Sequence, residues 1–271
     1  MSTPESEVVE TDCKMLEPLA FRTEQVIGSR ARIGLVVLAT DYTIEHEFRR
    51  IITLPGVDFY VARIRNTPTI TPQSLAAMKP LITATAELIL PGDTVDVLAY
   101  GCTSASMVLG EEVVAERLRA AKPQAKTSDP ASAAFAAFDA LGARRIAVLT
   151  PYRRDVNVIV RDAMEKHGYA VPVFGSFNEA HDPTVAAIDA DSLRNAVEVI
   201  ATGQELDAVF VSCTSIRLAE SVADIEAATG IPITSSNHAL AWHCLRLAGI
   251  NDRLTGLGQL YEKVIESGYG L

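Results

Sequence analysis

The sequence predicts an α/β protein of two pseudo-symmetric domains, each a parallel sheet flanked by helices, with a candidate site in the cleft between them. Three observations carry this prediction. GDTVDVLAYGCTSAS (92–106) and GQELDAVFVSCTSIR (203–217) are two versions of one segment. They match at Gly92/Gly203, Asp96/Asp207, Cys102/Cys213, Thr103/Thr214 and Ser104/Ser215, always 111 residues apart. RIGLVVLAT (32–40) is a near-continuous apolar run, echoed by RIAVLT (145–150); such runs mark parallel strands buried on both faces. These runs alternate with helical stretches twice over, and that alternation builds parallel sheets covered by helices.

Residues 1–27 read as an extension or strap. The first domain is expected over 28–128 together with 240–271, the second over 129–239. After the first strand, Asp41-Tyr42-Thr43 leads to a helix from Ile44 to Ile52, and DFYVARI (58–64) is the second strand. A helix is expected from Thr71 to Leu90, with Pro72 near its start. Val95 to Tyr100 is a strand running into the Cys102 turn, and Gly110 to Ala121 is helical. Thr127-Ser128-Asp129 caps a helix through Leu141. In the second half, a helix ends near His167-Gly168, Val171 to Phe174 is a strand, and Ser192 to Ala201 is a helix. Val209 to Val211 precedes Cys213, Leu218 to Thr229 is a helix, and Ile231 to Thr234 is a strand. Ser235-Ser236-Asn237 caps a helix through Leu247, and the residues from Leu254 read as a helix packing back on one domain.

The chain has 271 residues with 48% apolar character, enough for a large core. Its 24 basic against 34 acidic residues give a net charge of −10, which argues against nucleic acid as a partner. A locally positive pocket for an anion remains compatible with it. No apolar run is long enough for a membrane span. The acidic start lacks a secretory pattern, so a cytoplasmic location is expected. The four cysteines, Cys13, Cys102, Cys213 and Cys244, lack metal-knuckle spacing and in a reducing compartment are expected as free thiols.

Parallel sheets bind ligands beyond the C-terminal ends of their strands, and both Cys102 and Cys213 fall there. Each turn reads as opening a helix, whose positive end lowers a thiol's pKa toward neutrality. The neighbouring hydroxyls of Thr103, Ser104, Thr214 and Ser215, with backbone N–H groups, can hold a carboxylate or an enolate oxygen. Two thiols across a cleft suit removal and return of a proton on opposite faces of a carbon. They equally suit addition of one thiol to a double bond while the other donates a proton. The plainer reading is two small buried residues in duplicated turns. His238 and His243, five apart, do not have metal spacing. Arg63, Arg65, Arg153 and Arg217 read as solvated surface, as does the helix face bearing Glu45, His46 and Glu47. Tyr42 stands either at a pocket mouth or in packing. Cys244 and Trp242 read as core, Cys13 as exposed, and Asp96 and Asp207 as turn-shaping residues.

RIGLVVLATDYTIE, YGCTSAS, ARRIAVLTPY, FGSFNE, VSCTSIR and ITSSNHALAWHCLRLAG together resemble the aspartate/glutamate racemase superfamily. The similarity runs from about Arg30 onward, to the branch holding maleate cis–trans isomerase and arylmalonate decarboxylase. The resemblance implies two pseudo-symmetric α/β domains around a cofactor-free site. It implies catalytic roles for Cys102 and Cys213; decarboxylases of the branch keep only the second cysteine. It implies carboxylate contacts from Tyr152, Thr103, Ser104 and Thr214, and a substrate contact from Asn178. One position departs: where the isomerases have an asparagine after the first strand, this chain has Asp41. A carboxylate there disfavours a dicarboxylate and favours an ammonium group. The racemases carry an aspartate there beside the catalytic thiol, so Asp41 joins the candidate catalytic residues. The wording TDYT and YGCTS further resembles relatives tied to ectoine utilisation.

The expectation is therefore a cofactor-independent two-cysteine isomerase of a small carboxylic acid, by cis–trans isomerisation or racemisation. The alternatives are an amino-acid racemase acting on an ectoine-derived diamino acid, an arylmalonate-type decarboxylase, and a non-catalytic binder of such acids. Small carboxylates or amino acids are the expected partners, and a homodimer is plausible on base rates.

Overall fold

The computed structural model describes residues 14–179 and 181–265. Two four-stranded parallel sheets form the two halves. In the first, β1 (Ala31–Leu38), β2 (Val57–Ile64), β3 (Val97–Gly101) and β4 (Lys126–Ser128) take the order β2-β1-β3-β4. In the second, β5 (Ile146–Thr150), β6 (Phe174–Ser176), β7 (Ala208–Val211) and β8 (Ile233–Ser235) take the order β6-β5-β7-β8. The register pairs Ile33 with Val97 in one half and Ile146 with Ala208 in the other. The duplicated aspartates tie the strand starts together. Asp96 Oδ2 accepts from the N–H of Arg32 at 2.7 Å, and Asp207 Oδ2 from those of Arg144 and Arg145 at 2.8 and 2.7 Å.

The helices are α1 (Ile44–Ile51), α2 (Pro72–Ala76), α3 (Ile82–Ala86), α4 (Thr103–Leu109), α5 (Glu111–Ala121) and α6 (Pro130–Leu141) in the first part of the chain. They continue with α7 (Arg154–Lys166), α8 (Asp182–Ala186), α9 (Ala190–Ala201), α10 (Val222–Thr229) and α11 (Ser236–Leu247). Two of them cross between the halves. α6 follows β4 of the first sheet, yet Phe135 and Phe138 pack into the core of the second with Val148 and Phe210. α11 follows β8 of the second sheet, yet Leu240, Trp242 and Leu245 pack with Ile33, Leu35 and Val97 of the first. The alanine face of α6 (Ala133, Ala136 and Ala137) shares that core with α11. Small side chains there let two helix backbones approach closely, which holds the halves in one arrangement.

Several elements depart from expectation, each for a local reason. The expected helix over Thr71–Leu90 is broken into α2, a 3-10 turn at Lys79–Leu81, and α3. Pro80 has no N–H to donate and interrupts the ladder. β6 starts three residues later than expected because Pro172 cannot donate to a sheet. α10 begins only at Val222, not Leu218. After Leu254 there is a short 3-10 turn, Gln259–Glu262, not a long helix; Leu257, Leu260 and Tyr261 still pack into the first core. Residues 14–26 form neither helix nor strand and lie exposed. The expectation for Cys13 lies outside the described residues. The other three cysteines are free and buried.

Candidate active site

Both cysteine turns open onto one cavity at the C-terminal ends of β3 and β7. It is lined by Cys102, Thr103 and Ser104 from one half and by Tyr152, Asp182, Cys213, Thr214 and Ser215 from the other. Leu38, Asn66 and the stretch from Thr67 to Met78 complete it. The thiols are nearly sealed from solvent, at 4% and 3% exposure. The covering stretch is pinned to the second half: Asp182 N–H donates to Pro68 O at 3.2 Å, and Thr69 bridges to His181.

The turns are held from across the cleft. Thr103 Oγ1 donates to Ser236 Oγ at 2.6 Å, and Thr43 Oγ1 donates to Ser215 O at 2.8 Å. The Ser215 hydroxyl donates to Asp182 Oδ1, while Thr40 Oγ1 donates to Asp182 Oδ2 at 2.8 Å. Asp41 is buried, and its Oδ1 accepts from the N–H groups of Thr43 and Ile44 at 2.7 and 2.8 Å. Its Oδ2 is buried with no hydrogen-bond partner. Burial first, and the negative charge of Asp182 in addition, push the Asp41 carboxyl from 3.8 up to about 7, against the pull of the Ile44 and Thr43 N–H groups.

The two cysteines differ in backbone setting. Cys102 caps α4, as expected, but Cys213 does not open a helix: the chain from Thr214 to Ser221 is loop before α10. Nor are the resting thiols acidified. Burial pushes both up to about 12, with Asp182 and Asp41 adding to the rise. The Ala105 N–H and the Ser104 hydroxyl oppose this at Cys102, and the Tyr152 hydroxyl and Ser215 N–H oppose it at Cys213. In a closed site desolvation outweighs the partial charge of one helix end. Tyr152 is buried, and burial drives its hydroxyl well above its ordinary value, so it is a neutral donor.

Three expected residues are not among those lining the cavity: Asp41 is buried outside that lining, and two others stand elsewhere. Asn178 is exposed at φ +56° in a separate depression with Arg154, Asn157 and Ser176; its N–H donates to Ser176 Oγ at 3.0 Å. Tyr42 is 71% exposed and does not line the cavity. Arg63 pairs with Glu45 at 2.6 Å outside the cavity. His238 is buried against Thr234 and the Leu257 carbonyl, and His243 against Ser128.

Two acids were not anticipated. Asp182 lines the cavity, but its sequence setting, His181-Asp182-Pro183, reads only as a helix start. Glu47 was expected on a solvated face and is instead 1% exposed. Its Oε1 accepts from the Leu218 and Ala219 N–H groups, both at 2.6 Å, and its Oε2 from Asn237 Nδ2 at 2.9 Å. Its position was legible: Ile44, Glu47, Phe48 and Ile51 fall on one helical face.

Known proteins are similar to this chain in sequence and fold. A maleate isomerase of Nocardia farcinica is 30% identical over 243 residues, spanning 84% of this chain and 94% of that protein. The crystal structure of the maleate isomerase Iso from Pseudomonas putida S16 superposes with a TM-score of 0.79 at 27% identity, covering 85% of this chain and 98% of that one. A mutant of the Nocardia farcinica maleate cis–trans isomerase, bearing a covalently bound succinylcysteine intermediate, does so with a TM-score of 0.79 at 28% identity, covering 85% and 98%. The arylmalonate decarboxylase family pattern matches residues 34–261, a span that holds both cysteine turns and all but the first three residues of β1 from the two sheets. On that match and on the 30% identity to the Nocardia enzyme, the chain belongs to the arylmalonate decarboxylase family.

Proposed function

We propose that the protein is a cofactor-independent isomerase that works a small carboxylic acid between Cys102 and Cys213. The observation that carries this is the enclosure of both thiols, one from each half, in a single cavity ringed by hydroxyl donors. Ser104, Tyr152 and Thr214 hold the carboxylate, while the hydroxyls of Thr103 and Ser215, given to Ser236 and Asp182, keep the two turns in place. A decarboxylase of this family would need one thiol; two in one cavity support two-sided proton or adduct chemistry, in keeping with the adduct named for the Nocardia farcinica enzyme.

For cis–trans isomerisation, the Cys102 sulfur bonds to one alkene carbon while its proton passes to Asp41. The π electrons move to the neighbouring carbon, which takes the Cys213 proton. Rotation about the new single bond follows. Cys213 then removes a proton, the C–S bond breaks, and Cys102 recovers its proton from Asp41. For racemisation, one thiolate removes the proton beside the carboxylate and the opposite thiol returns one. Burial holds Cys102 at about 12 and Asp41 at about 7, so the proton transfer runs uphill in the resting site.

A second reading concerns the substrate's other end. Among the residues lining the cavity none is Lys, Arg or His, whereas Asp182 lines it and the buried Asp41 carboxyl interacts with Thr214 of that lining. A site so charged favours an ammonium or another N–H donor over a second carboxylate. It points to an amino acid, with ectoine-derived diamino acids in the class to be tested in a cytoplasmic setting. The experiment is proton NMR in heavy water with dicarboxylates, amino acids and ectoine breakdown products. Deuterium appearing beside a carboxylate supports the isomerase; loss of carbon dioxide supports decarboxylation, and no change in any compound supports a binder. Asp41→Asn should lower the KM for maleate relative to that for amino acids while lowering kcat through the lost proton acceptor, and an unchanged KM ratio would remove the charge argument.

A further inference from the structure

The two cysteine turns are alike in sequence but not in how they are held. Cys102 runs straight into α4, and Ser106 N–H closes the first helical bond to its carbonyl at 3.0 Å. Cys213 is followed by loop up to Ser221, without a helix to fix its direction. Side chains of other elements do that work instead. Thr43 on the approach to α1 takes the Ser215 carbonyl. Asn237 of α11 donates through Nδ2 to Thr214 O at 2.7 Å and to Glu47 Oε2 at 2.9 Å. Glu47 of α1 takes the Leu218 and Ala219 N–H groups.

Glu47 is an expensive way to fill its place. It lies on the apolar face of α1 among Ile44, Phe48 and Ile51, all at 0% exposure, and no Lys or Arg among the described residues pairs with it. An apolar side chain would serve packing better there, because a buried carboxylate without a cation is costly. What the carboxylate supplies, and an apolar residue does not, is two acceptor oxygens for three donors on two other elements. Those donors sit on, or hold, the loop that leaves Cys213.

We infer that Glu47 is a positioning residue for Cys213: from the first half of the chain it clamps the helix-less loop of the second, directly at Leu218 and Ala219 and through Asn237 at Thr214. It replaces the helix that positions Cys102. This rests on the reading of Cys213 as a reacting thiol, but the test needs no turnover, so a protein inactive on every substrate would sink that reading and leave this one standing.

The experiment is alkylation of the folded protein by iodoacetamide, with Cys102 and Cys213 followed separately by peptide mass spectrometry, in wild type, Glu47→Ala and Glu47→Gln. In Glu47→Ala the loop is released, and the Cys213 rate should rise roughly tenfold while the Cys102 rate stays within about twofold, as expected from losing three hydrogen bonds at one turn only. Glu47→Gln keeps one oxygen for Leu218 and Ala219 but sets its amide NH2 against that of Asn237. Its Cys213 rate should rise by a smaller factor, again without Cys102. An unchanged Cys213 rate in the folded variants, or in Glu47→Gln alone if Glu47→Ala does not fold, overturns the inference. So does a parallel rise at both cysteines, which is the mark of general loosening.

Discussion

Asp41→Asn isolates the cost of burying one carboxyl. The amide keeps an oxygen for the Thr43 and Ile44 N–H groups, which Asp41 Oδ1 now satisfies at 2.7 and 2.8 Å. It removes the charge at an oxygen that has no partner. The wild-type carboxyl rises from 3.8 unfolded to about 7 folded. Below the unfolded value both states hold the proton and nothing is lost. As pH rises, the unfolded chain releases the proton first, so wild-type stability falls until the folded group also ionises near pH 7, and is level above it. At about 1.4 kcal/mol per pH unit the full loss is about 4 kcal/mol, of which about 2 to 3 kcal/mol develops between pH 5 and pH 8. Urea denaturation of both proteins across that range measures it, as a midpoint difference that widens in favour of Asp41→Asn. A difference that stays constant from pH 5 to pH 8, or that narrows, refutes the buried-carboxyl argument.

Asp182→Asn should let both thiols react at lower pH, because the Asp182 charge raises Cys102 and Cys213 alike. Iodoacetamide rates against pH would register this as a downward midpoint shift at each cysteine, and unmoved midpoints would deny Asp182 that influence. Gly101→Ala should destabilise the protein by about 1 to 3 kcal/mol through overpacking. A methyl there would meet Ile44 Cδ1 at 2.7 Å and the Val36 carbonyl at 3.2 Å. Urea denaturation reads this directly, and a stability equal to wild type would mean that α1 yields freely beside the site.

The 111-residue duplication and the apolar runs were enough for the two parallel sheets, because a doubly buried strand writes its burial into every residue. The placement of both cysteines beyond the strand ends then followed from chain logic, whereas the strand orders β2-β1-β3-β4 and β6-β5-β7-β8 were not legible in it. What escaped depended on partners distant in sequence. Cys213 shares its motif with Cys102, yet its loop is shaped by Glu47, 171 residues from Leu218 and 172 from Ala219. Glu47 itself lay on a visible apolar face, but reading it as buried required donors that no local pattern displays. The thiols' resistance to ionisation has the same origin. A helix terminus is local and predictable, whereas the cover made by Asn66 to Met78 and Asp182 is tertiary. For Asn178 the motif FGSFNE implied a substrate contact, while the turn after β6 carries it to an exposed depression apart from the cavity.

The account requires that Cys102 and Cys213 act on one substrate as a unit. Its most direct test is kcat/KM, followed by NMR on whichever compound turns over, for Cys102→Ala, Cys213→Ala and the double variant. Each single variant should lose at least about a thousandfold, with the double variant scarcely worse, because groups that work together are not additive. Either single variant keeping activity within about tenfold of wild type would contradict the two-thiol mechanism.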